Sequence, residues 1–307
     1  MKKKVRIYEN ITPAGIFTKH RYYYFFVLEN KLFGKVCNRC VGFISYGLLQ
    51  KDEKDEFEVE LEKNYNLDME IEKLLPKGSC FLKEIELEIG CYYPRIKWIS
   101  PLLIYPLEEK TNAIPFFDAA KMLLKKLNDI SYTIDINPSN NLCYGHEIRS
   151  LLLLICMEIE NNFVSTLKIN GFIKDNYRTS DFFILKDYWN LDEYELKFEY
   201  FTTYPSLRPY ENWDINKPTQ SLNWYHDYNK TKHSREEYFT KGNLINTLYA
   251  MAALIILIDA QYGINTEGGK DIFKFDGIKI KKPMHKPEQI YIKLPNSTTL
   301  NKSKLYN

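Results

Sequence analysis

Apolar and polar positions alternate over short stretches in the first third of the chain and recur at helical spacing after it. "KVRIY", "YYYFFVLE", "VGFISYGLL", "EFEVELE", "CFLKEIELEI" and "IKWISPLLIY" are short and rich in aromatic or β-branched residues, with Gly, Pro and charged clusters between them. That pattern predicts strands over residues 1 to about 110. In "EFEVELE", Phe57, Val59 and Leu61 share one face and glutamates the other, as in a strand with one wet face. The preceding "KDEKDE" reads as a solvated loop. The period then changes: Ala119, Met122, Leu123 and Leu127 recur at helical spacing, with Lys121, Lys125 and Lys126 facing away. "DINPSNNLCYG" marks a turn-rich connection, which puts a domain boundary near residue 140.

"HEIRSLLLLICMEIENNFVSTLKINGF", residues 146–172, predicts a long helix with a wide apolar face, stopped at Gly171. Residues 173–220 are aromatic and punctuated by Pro205, Pro209 and Pro218, and are expected to wrap a helical core without elements of their own. One helix is expected over 222–233. Ser234 and Glu237 have capping-box spacing, which starts a longer helix through "NLINTLYAMAALIILIDAQYG" to Gly263. "FKFDGIKI" and "QIYIKL" are strand-like, and the last ten residues are polar enough to fray. The fold class is α+β: a β-rich recognition domain over 1–140 with one helix near 114–130, a helical bundle over 141–265, and short strands with a polar tail over 266–307.

Composition changes little. The chain has 307 residues, 45% hydrophobic and 27% charged, enough apolar material for a core. A net charge of +2 gives no bulk pull toward nucleic acid or membrane, so any basic surface is local. The opening "MKKKVRIYEN" lacks the apolar stretch of a signal peptide, which predicts a cytoplasmic, reducing location with free thiols. "LLLLICMEI" and "LYAMAALIILIDA" are short, interrupted runs expected to be core helices, with no membrane association. No Walker loop, dinucleotide glycine fingerprint, Gly-x-Ser-x-Gly elbow or His-Glu-x-x-His is present, so nucleotide hydrolysis, NAD chemistry, serine hydrolysis and zinc proteolysis lose their usual support, and no cofactor is expected.

Polar chemistry is densest in "WYHDYNKTKHSREEYF", residues 224–239. On a helix, His226, Asn229 and His233 line one face, with Lys230 and Lys232 beside them and Arg235 just past the turn. Imidazole moves protons near neutral pH, an amide orients a neighbour, and cations hold phosphate. These are the parts for metal-independent cleavage of a phosphodiester by the substrate's own 2′-hydroxyl. His233, Asn229 and Arg235 are the candidate catalytic residues, and Lys230, Lys232, His226 and Tyr228 the candidate substrate contacts. A plain helix end, with Trp224, Tyr225 and Tyr228 as buried anchors, fits the same stretch.

The run "YNKTKHSR", the preceding "SLNWYHD" and the following "NLINTLYAMAALIIL" resemble a family of bacterial proteins of unassigned role and, more distantly, the HEPN superfamily of helical domains. The resemblance covers roughly 140–263. It implies a phage-defence or toxin-type protein, an RNA partner, a homodimer that builds one composite site, and His233 as the matching catalytic residue. The usual Arg shortly ahead of the His is absent, since His226, Asp227 and Tyr228 precede the site. Arg149 or Arg235 would supply that cation, and Glu147 an early-helix acidic support. Some members only bind, so the alternatives are a non-catalytic sensor module, with the β-rich part contacting a protein partner, or a structural subunit of a defence complex.

Other residues carry weaker expectations. Cys37 and Cys40 have zinc-knuckle spacing, with Cys80 and Cys91 as the nearest second pair; buried free thiols are the simpler reading. Glu158, Glu160 and Asp259 interrupt apolar runs, so burial would demand partners. "RPYENWD", 208–214, is either a wall of the same pocket or a packed loop.

Overall fold

The alternating N-terminal segments pair into one sheet because each has a face that must leave water. In the computed structural model the described residues are 2–14, 17–38, 56–96, 107–262, 275–283, 301–302 and 305. They divide into two units, 1–92 with 284–303, and 93–283 with 304–307.

In the first unit, strands β1 (Lys2–Ala14), β2 (Phe17–Leu28), β3 (Lys31–Asn38), β4 (Glu56–Glu60) and β5 (Ser79–Glu88) form a five-stranded sheet in the order β4-β3-β2-β1-β5. Every neighbouring pair is antiparallel. The β2–β3 turn is two residues long, with Glu29 in the left-handed region at φ 55°. The register sets Tyr8 opposite Tyr23 and Leu32 opposite Val27. Tyr8, Tyr23, Phe25 and Leu32 therefore share the face that buries Ile71 of helix α1 (Leu67–Leu74). Asn66 caps α1, its side chain accepting from the backbone N–H of Asp68 at 3.0 Å and of Met69 at 3.4 Å. Glu58 and Glu60 of β4 are exposed and Val59 is half-buried, the wet-face pattern of "EFEVELE". A two-residue strand β6 (Cys91–Tyr92) runs parallel to a C-terminal strand (Asn301–Lys302).

The second unit is mostly helical. It contains α2 (Leu107–Ser131), α3 (His146–Ile169), the short α4 (Thr179–Phe182) and α5 (Ile184–Trp189), and β7 (Glu195–Phe198). Then come α6 (Asn223–His233), α7 (Arg235–Tyr238), α8 (Leu244–Tyr262) and β8 (Ile278–Lys281), which pairs antiparallel with β7; the C-terminal strand above is β9. Helix α8 is the axis of the core, packed by α2, α3 and α6. Helices α3 and α8 are long and apolar enough to cross a membrane by length and composition, contrary to the reading of their apolar runs as too short. Their most apolar stretches are 50% and 89% buried inside the protein, so for α8 that apolarity is spent on the core. Gly171, at φ 88°, ends α3 as expected, with the Phe172 N–H donating to the Leu167 carbonyl at 3.0 Å.

Several boundaries differ from expectation. The chain divides after Tyr92 rather than near 140, because α2 packs its buried face on α3 and α8. That face is Ala113, Phe117, Ala120, Leu123 and Leu127; Leu123 and Leu127 are buried as expected, whereas Ala119 is half-buried and Met122 exposed at the edge of the stripe. The helix expected from Ser234 to Gly263 is broken. The Ser234 hydroxyl meets the Glu237 carboxylate at 3.5 Å instead of capping the backbone, and α8 starts only at Leu244. Residues 173–220 do wrap the core, burying Trp189, Tyr210 and Trp213, yet they carry α4, α5 and β7. The tail is tied down in part: Asn301–Lys302 form β9, and buried Leu305 donates its N–H to the Asn170 carbonyl at 3.2 Å. "VGFISYGLL", "QIYIKL" and nearly all of "IKWISPLLIY" lie outside the described residues.

The buried ionic groups Asp259 and Arg95 of this unit have partners. Asp259 meets Lys282 at 2.7 Å and bonds Tyr194. Arg95, 5% exposed, is caged by Gln261, Ser165 and Asn162 and lies 4.3 Å from the Phe116 ring centroid.

Candidate functional site

Helix α6 carries the dense polar stretch, and its own composition decides which side faces in. Trp224, Tyr225, Tyr228 and Thr231 are buried. Trp224 donates its indole N–H to the Pro209 carbonyl at 2.9 Å. The opposite side leaves His226, Asn229 and Lys230 half-buried, and Lys232 and His233 exposed. Lys230, Lys232 and His233 crowd the last turn, where the helix dipole favours positive charge.

His233 stands in solvent, and among the described residues none hydrogen-bonds its ring. Lys230 lies over the Tyr238 ring at 5.4 Å and Arg235 over Phe239 at 6.0 Å, so both cations are steadied by rings while remaining near water. His146, at the start of α3, packs on the same Phe239 ring at 4.9 Å. Asp227 is taken up by Lys241 at 3.6 Å and by the Asn246 side-chain amide at 3.1 Å.

Two expected roles are corrected. Tyr228 is fully buried and cannot contact a substrate; its hydroxyl accepts from Lys232 Nζ at 2.9 Å. Arg149 is turned inward, donating from Nε to Thr231 Oγ1 at 3.0 Å and from Nη2 to the Thr231 carbonyl at 2.8 Å. Half-buried, it holds the end of α6 through Thr231. Gly242 is needed beside it, because a Cβ there would come within 2.8 Å of the Arg149 Cβ. Glu147 remains exposed in the first turn of α3.

An open cleft of about 790 Å³ runs along α6, and Asn229 and Lys232 line it while His233 does not. Glu160 of α3, Tyr177, Arg178 and Tyr225 share the lining with them. Tyr225 donates its hydroxyl to Glu160 Oε1 at 2.8 Å, and Lys232 lies 3.8 Å from Glu160 Oε2. Asn229 donates Nδ2 to the Tyr225 carbonyl at 2.9 Å, leaving its side-chain oxygen as an acceptor. Burial pushes the phenols of Tyr225 and Tyr228 above the usual tyrosine range, and the Glu160 carboxylate adds to it, so both hydroxyls stay protonated donors. Beneath them burial also raises the Cys156 thiol well above its ordinary range, which makes it an inert core group.

The glutamate flagged by its apolar neighbours thus has the partners that position demands, Tyr225 and Lys232. Arg178 and Tyr177 belong to a segment without helical or strand periodicity, and no sequence signal singled them out. "RPYENWD" is a packed loop: Tyr210 and Trp213 are buried, and Trp213 donates to the Pro218 carbonyl at 2.8 Å.

Cys37 and Cys80 stand apart in the sheet. The row Cys37–Tyr22–Glu9–Cys80 crosses four adjacent strands. At strand spacing this leaves about 14 Å between the two cysteine positions, too far for one ion. Cys40 lies outside the described residues, and no group of three or more metal-ligating side chains occurs among the described ones.

No family model, no curated protein and no solved structure matches this chain.

Proposed function

We propose that the helical unit is an RNA-directed module of the HEPN kind, acting in defence or as a toxin, with His233 as general acid/base in metal-independent RNA cleavage. The observation that carries this reading is the exposed, unengaged imidazole of His233 at the end of α6, flanked by Lys230, Lys232 and Arg235. His233 takes the proton from a 2′-hydroxyl. The freed oxygen attacks the adjacent phosphorus, the 5′ oxygen leaves and takes a proton from solvent, and the products end in a 2′,3′-cyclic phosphate and a 5′-hydroxyl. The flanking cations offset charge gathering on the phosphate, and Asn229 orients the strand beside them.

The test is incubation of purified protein with total RNA in excess EDTA. Cleavage that disappears in His233→Ala, with the fold intact, supports the reading. Absence of cleavage in every condition removes the catalytic part. A non-catalytic binding module is the second reading, favoured by one feature: the cleft along α6 is lined by Asn229 and Lys232 and not by His233.

A further inference from the structure

We propose that the cleft along α6 is a nucleotide subsite that prefers guanine, with Glu160 reading the base and Arg178 and Lys232 holding phosphate. This rests on the RNA-directed reading and names what the neighbouring surface would grip. The cleft is of a size that small-molecule sites usually have, about 790 Å³. Its lining is polar, and the groups on it are complementary to a nucleotide rather than to an apolar ligand.

The choice of base follows from donors and acceptors. Tyr225 bonds one oxygen of Glu160, the Tyr228 phenol also reaches the carboxylate, and Lys232 pairs with it at 3.8 Å, beyond hydrogen-bond reach; a carboxylate has about four lone-pair sites, so acceptor capacity remains. Guanine is the base whose pairing edge presents two adjacent donors, N1–H and the N2 amino group, which match the two oxygens of a carboxylate. Adenine and cytosine place an acceptor beside their amino group, and uracil flanks its single N–H with two carbonyls; each sets a lone pair against Glu160. The spare oxygen of Asn229 is a further acceptor on the same wall.

Phosphate has its own partners. Arg178 is exposed on the lining; its acidic neighbour Asp181 accepts from the Arg178 backbone N–H at 2.8 Å and is also paired with Lys174 at 2.8 Å. Lys232 is held at the cleft wall by the Tyr228 hydroxyl at 2.9 Å and by its ion pair with Glu160 at 3.8 Å, and its ammonium keeps a further N–H for a phosphate oxygen. Asp175, the second carboxylate on the lining, is exposed, where water and salt screen it. Tyr177 is pinned by donating its hydroxyl to the Phe172 carbonyl at 2.8 Å and accepting from the Lys174 N–H at 3.2 Å, so its ring forms a stationary side wall.

The experiment is calorimetric titration of the full chain with GMP, AMP, CMP and UMP at low salt. GMP is expected to bind at least about tenfold tighter than UMP. Glu160→Gln, which keeps the volume but replaces one acceptor by a donor, should remove that preference. Arg178→Ala, at an exposed position, should weaken all four by a similar factor, and it carries the test if Glu160→Gln disturbs folding. No binding of any nucleotide to folded protein, or a base preference unchanged in a folded Glu160→Gln, overturns the proposal. Cleavage of RNA without nucleotide binding sinks the subsite alone. GMP binding without cleavage supports the subsite and removes only the nuclease.

Discussion

Arg149 on α3 and Thr231 on α6 are joined by two hydrogen bonds, at 3.0 and 2.8 Å, across 82 residues of chain. Thr231 is fully buried and lies two residues before His233, so this clamp decides where the end of α6 stands. Arg149→Met keeps the aliphatic stem and deletes both bonds. The expected cost is about 1–3 kcal/mol, because a buried hydroxyl loses its donor. A lower urea midpoint with an unchanged slope is the measurement, and an unchanged midpoint would show the clamp to be idle.

The exposed ring of His233 leads to the opposite pattern. His233→Ala should leave the melting temperature where it is, since nothing among the described residues bonds the imidazole. RNA cleavage in EDTA should fall by two to four orders of magnitude, roughly the contribution of a general base. A variant that melts early would show that the ring supports the fold.

Asp259 is 3% exposed and pairs with Lys282 at 2.7 Å. Lys282→Met removes the cation and leaves the carboxylate inside the core with Tyr194. A loss of about 3 kcal/mol is expected, and Asp259→Asn in the same background should recover part of it, since a neutral amide costs less to bury. Chemical denaturation of the single and double variants checks both, and equal stability of the two would refute it.

Alkaline pH should weaken the protein. The Tyr204 phenol is pushed up to about 12 by burial, and those of Tyr194, Tyr210, Tyr225 and Tyr228 are raised by the same cause. An unfolded tyrosine loses its proton near 10.0. Between pH 10 and about 12 the folded chain therefore holds more protons than the unfolded one, and stability falls as pH rises. Below pH 10 these phenols contribute their full share. Melting curves across this window should show the decline, with a shallower slope in Tyr204→Phe; a flat profile would contradict it.

Local pattern made much of this architecture legible. Alternation in "KVRIY", "YYYFFVLE" and "EFEVELE" marked β1, β2 and β4, and the 3.6-residue period marked α3, α6 and α8, because each element must turn one side away from water. Met122 shows where that stops: it was placed on the apolar face with Leu123 and Leu127, and the packing of Phe117, Ala120 and Leu123 on neighbouring helices leaves it exposed. The polarity of "YNKTKHSR" was likewise plain, but not which of its groups would be engaged.

What the amino-acid order determined alone was the main strands and long helices and the cluster of His226, Asn229, Lys230, Lys232 and His233 on one short helix, since both follow from neighbours in the chain. What only the tertiary structure decided was their company. Glu160 meets Tyr225 from 65 residues away, Arg149 bonds Thr231, and Arg178 comes from a segment without periodicity to line the same cleft as Lys232. Contacts between distant segments depend on how buried faces fit around α8, and one-dimensional spacing carries no record of that fit.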